Sequence, residues 1–326
     1  MKIGRTLKRR RRSGGADGGA GSRGAPFRHT LGVMRVPPSS VEWFCDRRGR
    51  PLAVLGLVLV ASGIVHTAIW AVGGGPWEGP VTWRKPILFG ISWGLTSLSL
   101  GWAWAGLPWR RGDGPLAASV AWALAVEVAL IDLQTWRGVA SHFNRGTPLD
   151  SFLYDLMGLL ILWVTLVIAD LTLRFFLQPV PLPRDMLLAA RAGLVLLVIS
   201  CGLGIWVSVH GDLRMAAGLE PGRYGNAGVT KFPHGVVIHA IQWLPLLAWA
   251  AGRVGIGERR RVAMVQAATA GSVFLCGYSL AQTLGGRPRF DATPASAALL
   301  AGAIACLVLA VAPIAVGVLR RSAAVR

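Results

Sequence analysis

The chain has 326 residues, of which 53% are hydrophobic and 15% are charged, and it carries a formal net charge of +19. A soluble domain has about a quarter charged residues, whereas the apolar residues here fall in runs of about twenty, the length that crosses roughly 30 Å of hydrocarbon. This pattern excludes an ordinary soluble enzyme. Most Lys and Arg residues beyond position 50 lie in short loops between apolar runs, so the charge predicts topology signals and not a nucleic-acid partner.

Residues 1–50 are the most basic part of the chain, with thirteen of its 34 Lys and Arg residues. They are rich in Gly, Arg and Ser and lack apolar periodicity, which predicts a disordered cytoplasmic tail. The tail is expected to contact anionic lipid headgroups or, as the favoured interpretation, simply to fix the topology. With further apolar runs following, we expect no cleaved signal peptide.

Eight apolar runs predict an all-α, polytopic transmembrane helix bundle over residues 51–320, with a short cytoplasmic tail at 321–326. Seven spans are the alternative, because the seventh run is weakly apolar. The predicted spans cover residues 52–73, 86–107, 116–137, 151–173, 186–209, 234–252, 262–284 and 295–319. In the second span, Gly90 and Gly94 are spaced so that a neighbouring helix can approach closely.

The distribution of positive charge predicts that both termini are cytoplasmic. With the N-terminus inside, the tails and even-numbered loops hold 25 Lys and Arg residues and the odd-numbered loops hold nine. Because positive loops stay in the cytoplasm, this bias predicts a multi-pass protein of the plasma membrane with its N-terminus inside. Arg outnumbers Lys 30 to 4, which is typical of a GC-rich bacterial gene.

Ionisable residues within the spans are concentrated in their outer halves. At 1.5 Å per residue, His66, Asp132 and His239 lie about 5–8 Å outward of the midplane. Two His and a carboxylate at one depth could bind iron or zinc, and two facing His could instead hold a b-type haem. Either site requires spans one, three and six to be neighbours. The alternative is a polar core in which these side chains bond to one another without a cofactor.

Further polar residues between the midplane and the outer end predict the rest of an outward-opening site. Glu127, His142 and His234 are candidates for handling protons or substrate. The candidates for substrate binding are polar or cationic: Arg84, Lys85, Gln134, Arg137, Asn144 and Gln242. For Arg84 and Lys85, an anion or lipid-headgroup site and ordinary snorkelling to the interface are equally favoured.

The most distinctive stretch runs from Arg137 to Asp150. Its end, Thr147-Pro148-Leu149-Asp150, predicts a helix N-cap, a first-turn proline and an acidic third residue. Three interpretations of the whole pattern stay open. The leading one is a membrane-embedded, metal-dependent enzyme or redox protein; the others are a solute or proton-coupled transporter and a cofactor-free structural or regulatory subunit.

The chain resembles a group of uncharacterised bacterial multi-pass membrane proteins. The resemblance rests on Trp83-Arg84-Lys85-Pro86, on the block from Glu127 through Gln134, Arg137, Ser141-His142-Phe143-Asn144 and Thr147-Pro148 to Asp150, and on Met157-Gly158. It covers about residues 52–252. It implies the membrane class and marks the 137–150 block, but it implies no substrate.

Overall fold

The computed structural model describes residues 42–324, and within them eight helices are long and apolar enough to cross a membrane. This confirms the prediction of an all-α bundle with eight spans, including the seventh. The prediction of a disordered tail falls mainly on residues 1–41, which lie outside the described residues, as do residues 325–326. The cytoplasmic location of the termini stays a prediction.

The helices begin and end within a few residues of the predicted spans, apart from a longer C-terminal end of the fifth span. In chain order the elements are α1 Glu42–Cys45, α2 Arg50–Gly73, α3 Arg84–Gly106, α4 Asp113–Trp136, α5 Pro148–Leu177, α6 Arg184–Ala216, β1 Arg223–Tyr224, β2 Gly228–Val229, α7 Lys231–Val237, α8 Ala240–Arg253, α9 Glu258–Leu284 and α10 Pro294–Ala324. The two short strands form an antiparallel hairpin that pairs Arg223 with Val229. We call the end of the bundle that carries loops 74–83, 137–147, 217–230 and 285–293 the outer end, following the predicted orientation.

Glycines bring α2 and α3 into close contact. A Cβ atom on Gly90 would lie 2.9 Å from the Gly63 backbone, and one on Gly94 would lie 2.8 Å from the Gly56 carbonyl oxygen. Backbones this close leave no space for larger side chains, so van der Waals packing holds the pair together in lipid, where the hydrophobic effect does not. The close approach predicted for Gly90 and Gly94 is thereby confirmed.

The spans form two groups of four, α2–α5 and α6–α10. Between the groups, the substantial contacts are those of α5 with α6 and of α3 with α8. A core that includes Leu100, Leu124, Ile168, Leu194 and Ile241 joins both groups. Most of these residues lie in the inner half of the bundle, so the groups are joined by apolar packing there and face each other with more polar side chains further out.

The sixth span, Lys231–Arg253, is one helix with a local irregularity at His239. Between α7 and α8, Ile238 keeps right-handed helical dihedral angles (φ −57°, ψ −32°), whereas His239 (φ −94°, ψ 9°) departs from them. Further along, Pro245 lies inside α8, where it removes one backbone N–H donor. The span is therefore locally irregular at the membrane depth where the sequence predicts polar residues.

An ionic network closes the inner end. Asp113, with a fully buried side chain, accepts hydrogen bonds from both terminal nitrogens of Arg174 at 2.8 and 3.0 Å. Arg48 donates to the Leu107 carbonyl at 2.9 Å and lies 3.8 Å from Asp113. Residues 42–49, at the end of the segment predicted as a tail, thus form α1 and a turn fixed to α3 and α4. These residues are ordered because the Arg48 side chain is buried in this network, a contact that the composition of the segment does not reveal.

Candidate functional site

The first polar group lies between α2 and α4 in the outer half. The Trp136 indole Nε1 donates to His66 Nε2 at 3.1 Å. An indole can only donate, so His66 Nε2 is the acceptor and its Nδ1 carries the proton, which it donates to the Ser62 carbonyl at 2.9 Å. The Ser62 hydroxyl also reaches Asp132 Oδ2 at 3.4 Å. Ser62 therefore bridges His66 and Asp132, while Trp136 holds His66 alone; neither the serine nor the tryptophan was singled out from the sequence.

His239 lies elsewhere, on the far side of α3. Its Nε2 is 3.3 Å from the Ser92 hydroxyl. Ser92 follows Gly90, which packs on α2, by two residues and therefore points about 200° away around the helix. Helix α3 thus separates His239 from His66. Among residues 42–324, no group of three or more His, Cys, Asp or Glu side chains is placed to hold a metal. The iron or zinc site and the alternative haem site therefore stay predictions, since the structure does not bring their ligands together.

A second polar contact joins α3 to α8 one turn further inward. Gln242 Nε2 donates to the Thr96 hydroxyl at 3.0 Å, while the buried Gln242 Oε1 has no hydrogen-bond partner in the described part of the chain. Glu127 on α4 is 2% exposed, and its Oε2 is likewise buried without a described partner. A buried acceptor without a donor costs about 1–3 kcal/mol, and more when charged. These two oxygens are thus free to accept a hydrogen bond from a ligand, water or proton.

Three of the candidates stabilise the 137–150 loop. Gln134 Nε2 donates to Asp150 Oδ1 at 2.9 Å, Arg137 bonds to both Asp150 and Gln134, and Asp150 N donates to the Thr147 hydroxyl at 3.1 Å. The predicted cap at Thr147 is thereby confirmed. Asn144 donates to the Ala140 carbonyl at 2.9 Å and accepts from Gly146 N, so its amide closes the loop. Gln134, Arg137 and Asn144 thus have structural partners already.

His142 lies at the outer end between two aromatic rings. The ring centroids of Phe89 and Tyr154 are 5.7 and 6.1 Å from its own, and its Nδ1 is 3.0 Å from the Ser141 hydroxyl. Burial, together with the positive charges of Lys85 and Lys231, lowers the pKa of His142 to about 3. The imidazole is therefore neutral near pH 7, able to donate or accept a hydrogen bond and unable to contribute charge.

The remaining candidates lie near this same end. His234 Nδ1 is 2.8 Å from the Ser200 carbonyl and 3.0 Å from its hydroxyl, which ties α7 to α6. Arg84 and Lys85 open α3, and Lys85 Nζ donates to the Pro80 carbonyl at 2.9 Å. Lys231, which opens α7 and which the sequence analysis did not single out, interacts electrostatically with both. The signal that could have marked it is the positive charge itself, which the topology rule disfavours at an outer end.

The candidate site is distinct from a groove between α6 and α9. That groove, of about 350 Å³, has a mostly apolar lining: Leu188, Gln266, Thr269, Ala270, Val273 and Phe274. None of these residues is a site candidate. The polar side chains between α3 and α7–α8 and those between α2 and α4 therefore remain the chemically distinctive part of the fold.

Eight apolar helices and a polar outer half define a multi-pass membrane protein. No protein-family model, curated protein or solved structure matches the chain. Its function must therefore be inferred from its own side chains.

Proposed function

We propose that the protein is a transporter for a small polar solute, which it binds between α3 and α7–α8 after entry from the outer end. The observation that carries the proposal is the locally irregular backbone of the sixth span at His239, where α3 and α8 meet through polar contacts. Irregular backbone is tolerated at membrane depth where it is buried or lines a cavity, and transporters place such backbone and polar groups beside a substrate.

Exposure of the polar side chains supports this location. His239 is exposed and Ser92 is half-buried, although both lie well inside their spans. A polar side chain that faces lipid at this depth is costly. An opening between α3 and α8 that admits water would remove this cost, and it would also hydrate the free acceptor on Gln242.

The division of the bundle into two groups of helices would allow the opening to face one side of the membrane and then the other. The α3–α8 contact is one of the two substantial interfaces between α2–α5 and α6–α10, and polar groups occupy its outer part. Movement of one group of helices against the other about a fixed binding site is the usual mechanism of alternating access. We assign Glu127 on α4, whose buried Oε2 has no hydrogen-bond partner among the described residues, as the candidate proton-binding group.

The metal-enzyme interpretation has less support. It needs His66, Asp132 and His239 around one ion, whereas His66 lies on α2, which packs on the Gly90 side of α3, and His239 contacts Ser92 on the other side. A transporter needs polar groups between moving elements, and the contacts of Ser92 with His239 and of Thr96 with Gln242 supply them.

The test measures whether water-soluble reagents reach the contact between α3 and α8. With Cys45, Cys201, Cys276 and Cys306 replaced by Ala, Ser92→Cys is labelled with a membrane-impermeant methanethiosulfonate in right-side-out and inside-out vesicles. We expect labelling from both sides. Leu159→Cys, on a lipid-exposed face of α5, is the matched control and should stay unlabelled.

The other outcomes contradict transport in distinguishable ways. Labelling of Ser92→Cys from the outer side alone would favour an enzyme with an outward site. Protection from both sides would favour a structural subunit with a closed polar core.

A further inference from the structure

Three cationic side chains at the outer end lack anionic partners. Arg84 and Lys85 begin α3 and Lys231 begins α7. Within residues 42–324, none of the three takes part in an ion pair. The electrostatic interactions of Lys85 and Lys231 with each other and with Arg84 are repulsive.

Several other cations at this end have acidic partners. Arg145 bonds to Asp155 at 2.9 Å, and Arg287 bonds to Asp291 at the same distance. Neighbouring like charges destabilise a fold unless an anion or solvent compensates them. Three like charges that act on one another, two of which also act on the neutral His142 imidazole, therefore favour the binding of an anion from outside the protein.

A buried hydroxyl supplies an independent sign of a ligand. Thr82, two residues before Arg84, is 1% exposed, and its Oγ1 has no hydrogen-bond partner among the described residues. A hydroxyl with this burial normally has a partner. Thr82 can donate to an oxyanion, as can His142 through its ring N–H.

We propose that Arg84, Lys85 and Lys231 form a binding site for a phosphate-type oxyanion, with Thr82 and His142 as neutral hydrogen-bonding groups. Three positive charges match a doubly or triply charged anion better than a monocarboxylate. The planar guanidinium of Arg84 can hold two oxygens at once, while the two ammonium groups act as point charges. The site deepens the proposed function and rests on it, since it assigns the transported solute to phosphate or phosphorylated small molecules.

The same chemistry could come from a lipid headgroup, so the experiment separates the two sources. The full-length protein is placed in phosphatidylcholine nanodiscs and in phosphatidylglycerol nanodiscs, and inorganic phosphate is titrated into each by calorimetry. Binding in both kinds of disc identifies a soluble anion. Binding in phosphatidylcholine that phosphatidylglycerol blocks supports the site with a lipid phosphate as its occupant. Absence of phosphate binding in phosphatidylcholine overturns the proposal.

Charge variants connect the binding to this cluster. Lys231→Gln should weaken phosphate binding about tenfold, the loss of one charge-assisted hydrogen bond. Lys231→Arg should restore most of the affinity, and Arg287→Gln, with the same charge change at the same end, should leave it unchanged. Equal affinity in Lys231→Gln and the parent would overturn the proposal.

A stability measurement separates ligand binding from a structural role. Without phosphate, Lys231→Gln should melt at the same or a higher temperature than the parent, because the substitution relieves repulsion. A structural role predicts a lower melting temperature, and that result would count against the site. If Ser92→Cys is labelled from both sides but the protein does not bind phosphate, the anion class is rejected and the transport proposal stands. If the protein binds phosphate but Ser92→Cys is not labelled, the transport proposal is rejected.

Discussion

Replacing Arg174 should expose the energetic importance of the ionic network at the inner end. Arg174 and Asp113 are joined by two hydrogen bonds, and their side chains are 4% and 0% exposed. At 2.8 Å and an effective dielectric constant of about 20, the attraction is about 6 kcal/mol. Desolvation offsets much of this in the intact pair, but removal of one partner leaves a buried charge and costs about 3–5 kcal/mol.

Arg174→Met keeps the length of the side chain and removes its charge. Asp113 would retain the Arg110 backbone N–H at 2.9 Å and the more distant Arg48, so we expect a loss near the lower limit, about 3 kcal/mol. Unfolding in mixed detergents, followed by the fluorescence of the fourteen tryptophans, measures this change. The control, Arg287→Met, breaks an exposed ion pair and should cost less than about 1 kcal/mol.

A double-mutant cycle tests the reasoning more strictly. Asp113→Asn combined with Arg174→Met should cost less than the two single losses added together, because the second substitution removes the charge that the first left unpaired. Additive losses, or a cost below about 1 kcal/mol for Arg174→Met alone, would refute the assignment of this pair as a buried clamp.

Three further predictions concern packing, a cap and pH. Gly94→Val places a Cβ 2.6 Å from Val60 Cγ2 and should cost about 1–3 kcal/mol in the same unfolding assay, with Gly106→Val, which meets no neighbour, as the control. Thr147→Ala removes the acceptor for Asp150 N and should cost about 1 kcal/mol, whereas Thr147→Ser should be nearly neutral; equal losses would contradict the cap. Because the folded-state pKa of His142 is about 3 and lies below its unfolded value near 6.5, its contribution to stability is present above pH 6.5 and is lost as the pH falls toward 3. His142→Gln should therefore reduce the acid destabilisation in this window by up to about 1.4 kcal/mol per pH unit, and unchanged acid sensitivity would contradict the assignment.

Local features of the chain were predictable because each depends on neighbouring residues alone. The length and hydropathy of the apolar runs predicted eight spans, and the turn chemistry of Thr147-Pro148 predicted the start of α5. At 100° per residue, Glu127 and Asp132 point in different directions from α4. Asp132 meets Ser62 on α2, while Glu127 lies on the α4 stripe of Leu124 and Ile131, which pack into the core.

The candidate site depended on helix order, which the sequence did not contain. Depth along each span placed His66, Asp132 and His239 at one level, but depth does not specify azimuth or neighbours. Spans one and three do pack together, whereas span six contacts the far side of span two. The irregular backbone at His239 was also hidden, since the residues around it form one continuous apolar stretch of sequence.

The sequence by itself therefore determined the membrane class, the number of spans and the positions of costly polar groups. In lipid every backbone group must be satisfied within its own helix, so length and hydropathy alone decide what spans. Only the tertiary structure decided which polar groups meet. The hydrogen bonds of Trp136 with His66 and of Ser92 with His239, and the electrostatic interaction of Lys85 with Lys231, join residues far apart in the chain. They depend on which helices pack together and on the side that each helix presents to its neighbour.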